Sequence, residues 1–361
     1  MKKIASISTL AITALILTGC AGSPATPGAT PSETATPEPV YVTAPLTGIK
    51  YEDTTAEAKQ LTRPSVACKI DNSEAARPQL GLNSTDIVFD EMVEGGLTRL
   101  VAVWHSTQPT SIGPVRSIRP MDPDIISPFG GIVCFSGGQA RFVKMMGQTN
   151  VFNASETTEQ GKGTFSRSSD RYAPHNVMVD VDKLAGHHTD LPAPQMMFDF
   201  AADIAGATAS TAGKPAEKFT ARYPAATATW VPDSLGTAWL RTQDGKPHLD
   251  AADKSQIHAT NVVVLNVGID RSYLDGKYGN VPKTILVGKG TGFVFTGGKY
   301  VAVNWSKADQ KSKINLMDST GAAILLAPGN TWVELLPKSP EGKLTVTAPK
   351  PAASATPSAS N

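Results

Sequence analysis

Apolar and polar side chains alternate in short runs between residues 66 and 336, the two-residue period of strands that bury one face. Val66, Cys68 and Ile70 face one way and Ala67, Lys69 and Asp71 the other, which predicts a half-buried strand ending at Asp71-Asn72. Arg77-Pro78 then breaks any helix. Runs at 87–94 and 97–105 flank Gly95-Gly96, and a two-residue glycine loop predicts a tight hairpin. That turn pairs Glu91 with Leu100, Phe89 with Ala102 and Met92 with Arg99. Glu91 then shares an apolar face with Ile87, Phe89, Val93, Leu100 and Trp104, while Arg99 falls on the opposite face between Asp90 and Glu94. A strand at 132–135 runs through Ser136-Gly137-Gly138 into a helix at 139–146. Such a turn aims backbone N–H groups at an anion, or merely turns the chain.

Beyond the weakly patterned stretch 206–217 the chain becomes strand-rich, with runs at 227–231, 238–241, 262–267, 284–287, 293–295, 300–305 and 332–336. Turns separate them at Asp244-Gly245, Gly297-Gly298 and Pro328-Gly329. Gly288, Gly290 and Gly292 precede a strand, so they read as hairpin glycines and not as a nucleotide loop. The expected fold class is α+β: a mixed α/β N-terminal domain at 46–205, then a strand-rich, mostly antiparallel C-terminal domain at 206–347.

The ends follow a different pattern. Lys2 and Lys3 precede an apolar run at 4–17, too short for a span of about 20 residues. The run closes on Leu17-Thr18-Gly19-Cys20, which reads as a lipoprotein export signal over 1–19. A lipobox of this kind implies cleavage before Cys20 and acylation of its sulfur, making the lipid bilayer a partner on the extracytoplasmic face of the cell membrane. Residues 20–45 are rich in Ala, Thr and Pro and read as a disordered tether, with a similar tail at 348–361. The tether would reach about 75 Å if extended and about 30 Å as a coil.

The 361 residues carry 33 basic and 32 acidic side chains, and loss of Lys2 and Lys3 leaves a net charge of 31 − 32 = −1. No global positive field recruits nucleic acid. With Cys20 acylated, Cys68 and Cys134 remain; an exported compartment permits a disulfide between them, and two buried thiols fit the sequence equally well. No cofactor motif is present. His187, His188 and Asp190 lack helical metal-ligand spacing, so no metal site is expected.

Five ordered motifs, Val66-Ala67-Cys68-Lys69-Ile70-Asp71-Asn72, Ala76-Arg77-Pro78-Gln79-Leu80-Gly81-Leu82, Val93-Glu94-Gly95-Gly96-Leu97-Thr98-Arg99, Gly113-Pro114-Val115-Arg116-Ser117 with Arg119-Pro120, and Ala173-Pro174-His175-Asn176, resemble the YerB-like lipoprotein family. Asp244-Gly245-Lys246-Pro247-His248 and Pro328-Gly329-Asn330-Thr331-Trp332-Val333 are similar to that family's second domain, and the likeness spans about 61–336. The resemblance implies a two-part, membrane-tethered envelope protein and no activity. Pro123 and Pro128 depart from it and should shorten a helix after Arg119-Pro120.

The residues that carry chemistry gather in the first part. Arg116 and Arg119 can fork onto a carboxylate or phosphate, with the turn Ser136, Gly137 and Gly138 adding backbone donors. Asp71, Asn72, Arg77, Glu91, Glu94, Arg99, Arg171, His175 and Asn176 complete the expected ligand site. An anionic envelope ligand, a peptidoglycan fragment or wall polymer, suits them. The opposing reading has these arginines closing internal salt bridges with Asp71, Glu91 and Glu94. A glycan hydrolase would need a carboxylate pair such as Glu91 with Glu94 or Asp71, but the hairpin register sends Glu91 and Glu94 to opposite faces. A triad of Ser117 or Ser136 with His175 and Asp170 lacks the G-x-S-x-G elbow. Protein docking by a strand-rich scaffold is the third reading.

Overall fold

A computed structural model of the chain describes residues 38–275 and 279–350. The signal segment, Cys20, most of the expected tether and most of the tail lie outside the described residues. The folded body begins earlier than the composition suggests. Tyr41–Thr43 pairs with Lys50–Glu52, and Ala44 and Leu46 are buried, so a few apolar residues end the tether before residue 45.

The first half supplies β1 (Val66–Asp71), β2 (Ile87–Met92), β3 (Thr98–Trp104), β4 (Ile132–Cys134) and β5 (Phe152–Ala154). The second half supplies β6 (Lys218–Arg222), β7 (Thr227–Pro232), β8 (Trp239–Gln243), β9 (Asn261–Asp275), β10 (Gly288–Thr296), β11 (Lys299–Lys307), β12 (Thr331–Pro337) and β13 (Lys343–Thr347). One main sheet contains strands of both halves, in the order β11-β10-β9-β12-β2-β3-β1-β4-β5. Strand β12 is the seam, parallel to β9 on one side and to β2 on the other. A second, antiparallel sheet, β8-β7-β6-β13, lies over one face, where Phe219, Trp230 and Trp239 pack with Trp104 and Trp332 in one core. The other face is covered by α1 (Asp122–Ile126) and α2 (Ala140–Gly147), with Phe89, Val101 and Val133 in a second core.

Strand is the dominant structure and helices are few and short, so the expected mixed α/β first part carries less helix than its label implies. Pro123 sits in the first turn of α1, and the chain tightens to a 3-10 turn at Ser127–Phe129 around Pro128, as proline geometry requires. Strand β1, expected to be half-buried, is buried at every residue because both faces are covered. Cys68 and Cys134 face each other across the parallel β1·β4 pair and form a disulfide.

The hairpin register differs from the expected one by one residue. The turn is Glu94–Gly96, closed by Val93 N–H donating to Leu97 O, with Gly95 (φ 71°) and Gly96 (φ 74°) both in the left-handed region. A Cβ on Gly96 would lie 2.7 Å from Pro224. Glu94 thus belongs to the loop, and the pairs become Glu91 with Arg99, Asp90 with Leu100 and Phe89 with Val101. Glu91 and Arg99 share the face of Ile87, Phe89, Val101 and Val103, while Leu100 and Trp104 point into the other core.

Each face of the sheet buries one cation between two carboxylates. Between the sheets, Arg241 Nη2 donates to Asp90 Oδ2 at 2.5 Å, and its Nε lies 3.7 Å from Glu334. Tyr223 and Trp230 each donate to Glu334 at 2.9 Å. Burial first, then the Glu334 charge, pushes the Asp90 carboxyl up to about 7. On the opposite face Lys69 pairs with Glu91 and, at 2.8 Å, with Asp122, all three side chains being fully buried. Burial pushes Lys69 down to about 8 against the pull of Asp122.

Two outcomes follow from these clusters and a third from the disulfide. Arg241→Ala leaves two carboxylates buried without their cation and should lower unfolding stability by about 3–5 kcal/mol in denaturant titration. Below about pH 7 the folded state holds a proton at Asp90 that the unfolded chain releases near pH 4. That contribution is complete below about pH 4 and is lost as pH rises through about 7. Asp90→Asn should therefore flatten stability against pH over that window, and parallel curves for variant and wild type would contradict the assignment. Reduction of the Cys68–Cys134 bridge, which closes a separation of 66 residues, should cost about 2–4 kcal/mol by the same titration.

Candidate functional site

The site forms where β1, the β2–β3 turn and the segment 113–119 meet. Strand β1 is flanked by β3 on one side and by β4 on the other, and beyond β4 the 113–119 segment takes over. Asp71 N–H donates to Pro114 O at 3.0 Å and Arg116 N–H to Lys69 O at 2.7 Å. This lateral pairing brings Arg116 beside Asp71. It also sets Arg119 against the turn residue Glu94.

A hollow of about 580 Å³ opens there, lined by Asp71, Glu94, Leu97, Arg99, Arg116 and Arg119, with Thr98, Gly138, Gln139 and Pro174 at its margins. Arg116 Nε lies 2.9 Å from Asp71 Oδ2, and Arg119 Nε donates to Glu94 Oε2 at 2.8 Å. Arg99 differs. Its Nη1 donates to the Ser117 carbonyl at 2.9 Å, and among the described residues no carboxylate lies within 4.0 Å of its guanidinium. Burial, then repulsion from Arg119 and Arg116, pushes Arg99 down to about 10 against the weaker pull of Glu94 and Asp71, so it stays charged at neutral pH. Burial alone would raise the Asp71 carboxyl, but the Ser73 amide, Arg116 and His175 outweigh it and hold it below the ordinary carboxylate range. Glu94 is lowered in the same way, burial being overcome by Arg119.

A second hollow, about 520 Å³, adjoins the first across the Pro174-His175 wall and is lined by Arg77, Asp170, Arg171, Tyr172, His175 and Met178. His175 Nδ1 lies 2.6 Å from Asp71 Oδ2 and 3.3 Å from Ser73 Oγ. Arg171 Nη1 donates to Ala76 O at 2.8 Å, its Nη2 donates to Pro78 O, and it has no carboxylate partner among the described residues. Arg77 is paired with Asp244 at 2.9 Å, beside a third hollow of about 410 Å³ that the motif Asp244 to His248 helps to line.

The structure therefore brings together Asp71, Glu94, Arg99, Arg116, Arg119 and Gly138 in one hollow, and Arg77, Arg171 and His175 in the next. It does not place the other expected residues at either one. Asn72 is buried, donating to Thr98 at 2.9 Å and to Gln243 at 3.2 Å. Glu91 lies beneath the site with Lys69, on the face it shares with Ile87 and Phe89, which is covered and forms a core. The Ser136 amide is taken by Arg116 O at 3.1 Å and Gly137 O by the Ile118 amide at 3.0 Å, so that turn braces the 113–119 segment. Asn176 accepts from Arg167 at 3.0 Å. The internal salt bridges weighed against a site do form for Arg116 and Arg119; Lys69, and not an arginine, takes Glu91. His175 pairs with Asp71 and not with Asp170, and Glu91, fully buried against Lys69, faces no cleft with either Glu94 or Asp71, so neither hydrolytic arrangement assembles. Sequence reasoning missed Ser73, Leu97, Tyr172 and the buried Lys69–Asp122 pair. The signal for Lys69 was a lysine flanked on both sides by β-formers.

Among the described residues no helix is long and apolar enough to cross a membrane. Residues 46–193 match the N-terminal domain, and residues 219–333 the C-terminal domain, of the family described as protein of unknown function DUF3048. The chain is 24% identical over 350 residues to the "Putative lipoprotein YerB" of Bacillus subtilis (strain 168), covering 93% of this chain and 96% of that one. Its fold is that of the crystal structure of the Bacillus subtilis YerB protein, with a TM-score of 0.71 at 21% identity, over 84% of this chain and 99% of the other. With both domains matched in order and a relative aligned over nearly its whole length, this chain belongs to the DUF3048 family.

Proposed function

We propose that this protein is a lipoprotein anchored through Cys20 on the extracytoplasmic face of the cell membrane, where it binds an anionic cell-envelope ligand in the Arg99 hollow. The observation that carries the reading is Arg99 itself. Its charged guanidinium is half-buried, lines an open hollow and meets only a neutral carbonyl, while the two neighbouring arginines are each held by a carboxylate. The lining carries three guanidinium groups against two carboxylates, and a ligand carboxylate or phosphate would complete the balance. Leu97, 47% exposed at the rim, offers apolar contact to the ligand's uncharged part. Peptidoglycan fragments and wall polymers supply such anions within reach of a tethered domain. The lipoprotein name of the Bacillus subtilis relative supports the anchor.

Purified protein titrated calorimetrically with wall fragments should bind at low salt and weaken as salt rises. Arg99→Gln should reduce affinity by about ten- to a hundredfold, the effect of a lost charge-assisted hydrogen bond of about 1.5–3 kcal/mol, with circular dichroism verifying that the variant is folded. Unchanged affinity would remove Arg99 from the site. For the anchor, Cys20→Ser should move the protein from the membrane fraction to the soluble fraction on cell fractionation, and retention in the membrane would contradict it.

A further inference from the structure

The geometry points to a two-socket site for a linear phosphodiester polymer, with one repeat's phosphate at Arg99 and a later one at Arg171, the chain passing over the Pro174-His175 wall. This rests on the reading of Arg99 as an anion socket and extends it to the class of ligand. Arg171 repeats the signature of Arg99: a guanidinium lining a hollow, bonded only to backbone carbonyls, with no carboxylate partner among the described residues. The two hollows share a wall, Pro174 lining the first and His175 the second, and Arg116 donates toward the Pro174 carbonyl from below at 3.5 Å. That wall is held by Asp71, whose Oδ2 meets both Arg116 and His175. His175 Nε2 has no protein partner among the described residues and adds a hydrogen-bonding group between the sockets. Tyr172, 92% exposed, stands at the rim of the second hollow as a contact for the ligand's uncharged portion.

The strands argue against an extended peptide as the occupant. A peptide bound as an added strand needs a free sheet edge, and β1, β2 and β3, which frame the first hollow, are each paired on both sides. Recognition here falls to side-chain charge. Guanidinium forks match phosphate oxygens bidentately, and two sockets joined by one wall favour a ligand whose repeating feature is its charge. Engaging both sockets makes the second contact intramolecular, so affinity should climb with chain length.

The test titrates purified full-length protein with glycerol phosphate, its phosphodiester-linked dimer and longer poly(glycerol phosphate) chains. Affinity should rise at least about tenfold from the single unit to the long chain. Arg171→Gln should abolish that rise, leaving the long chain no tighter per repeat than a single unit held at the Arg99 socket; Arg171→Lys, which keeps the charge but not the fork, should restore part of it. A length dependence that survives in Arg171→Gln overturns the two-socket inference while leaving the Arg99 reading intact. Binding of poly(glutamate) of matched charge as tightly as the phosphodiester chain overturns the polymer class. Failure of every anion to bind overturns both this inference and the function on which it rests.

Discussion

Arg241, lying between Asp90 and Glu334, is the interaction on which the rest of the fold depends. The two carboxylates face each other across the parallel β2·β12 pair, on strands from opposite halves of the chain, and the arginine arrives from the second sheet. A buried carboxylate without a counter-charge is costly in a medium of low dielectric. The pairing of β12 with β2 and the docking of β8 over it are thereby made mutually dependent. Trp332 and Trp230 flank the guanidinium at 4.8 and 5.7 Å, so the same residue joins the polar cluster to the aromatic core.

A chain of hydrogen bonds carries this constraint outward to the site. Arg241 meets His248 at 2.7 Å, His248 meets Gln79 at 2.7 Å, and Gln79 donates to the Asp71 carbonyl at 2.8 Å. Asp71 is thus anchored from behind while its carboxylate faces Arg116 and His175. The second buried cluster acts from the other face. Glu91 is the cross-strand neighbour of Arg99 and would be its natural partner, but it is engaged by Lys69 in the core. Asp122, the other partner of Lys69, also accepts the Arg119 amide at 2.5 Å and so holds the 113–119 segment in place. Arg99 is left facing the hollow because the nearest carboxylates are held elsewhere.

The strand runs were legible because their two-residue period and glycine turns are local signals: strands 87–92 and 98–104 lie within the expected segments, and the expected 262–267 and 300–305 lie within strands 261–275 and 299–307. The hairpin register was not, since the glycine pair does not say whether Glu94 belongs to the strand or to the turn; in the turn it meets Arg119, 25 residues away. Nor was the parallel seam at β12, where pairing partners lie far apart in sequence and periodicity carries no information about order. Both cysteines stood in strand-like runs, yet only the β1·β4 register puts them opposite each other. At the site, residue type marked Arg99, Arg116, Arg119 and His175. The faces they occupy came from tertiary pairing. Glu91 and Asn72 look like site residues in sequence because charged and amide side chains seldom lie in cores; here Lys69 and Gln79 satisfy them there.

The central claim is that Arg99 presents an unneutralised guanidinium to solvent and ligand while Arg241 does not. Nitrogen-15 NMR of the arginine Nε–Hε groups, followed while inorganic phosphate is added at low ionic strength, reads this directly. The account predicts a saturable shift of the Arg99 resonance and no change at Arg241. An Arg99 resonance that stays fixed up to saturating phosphate would contradict it.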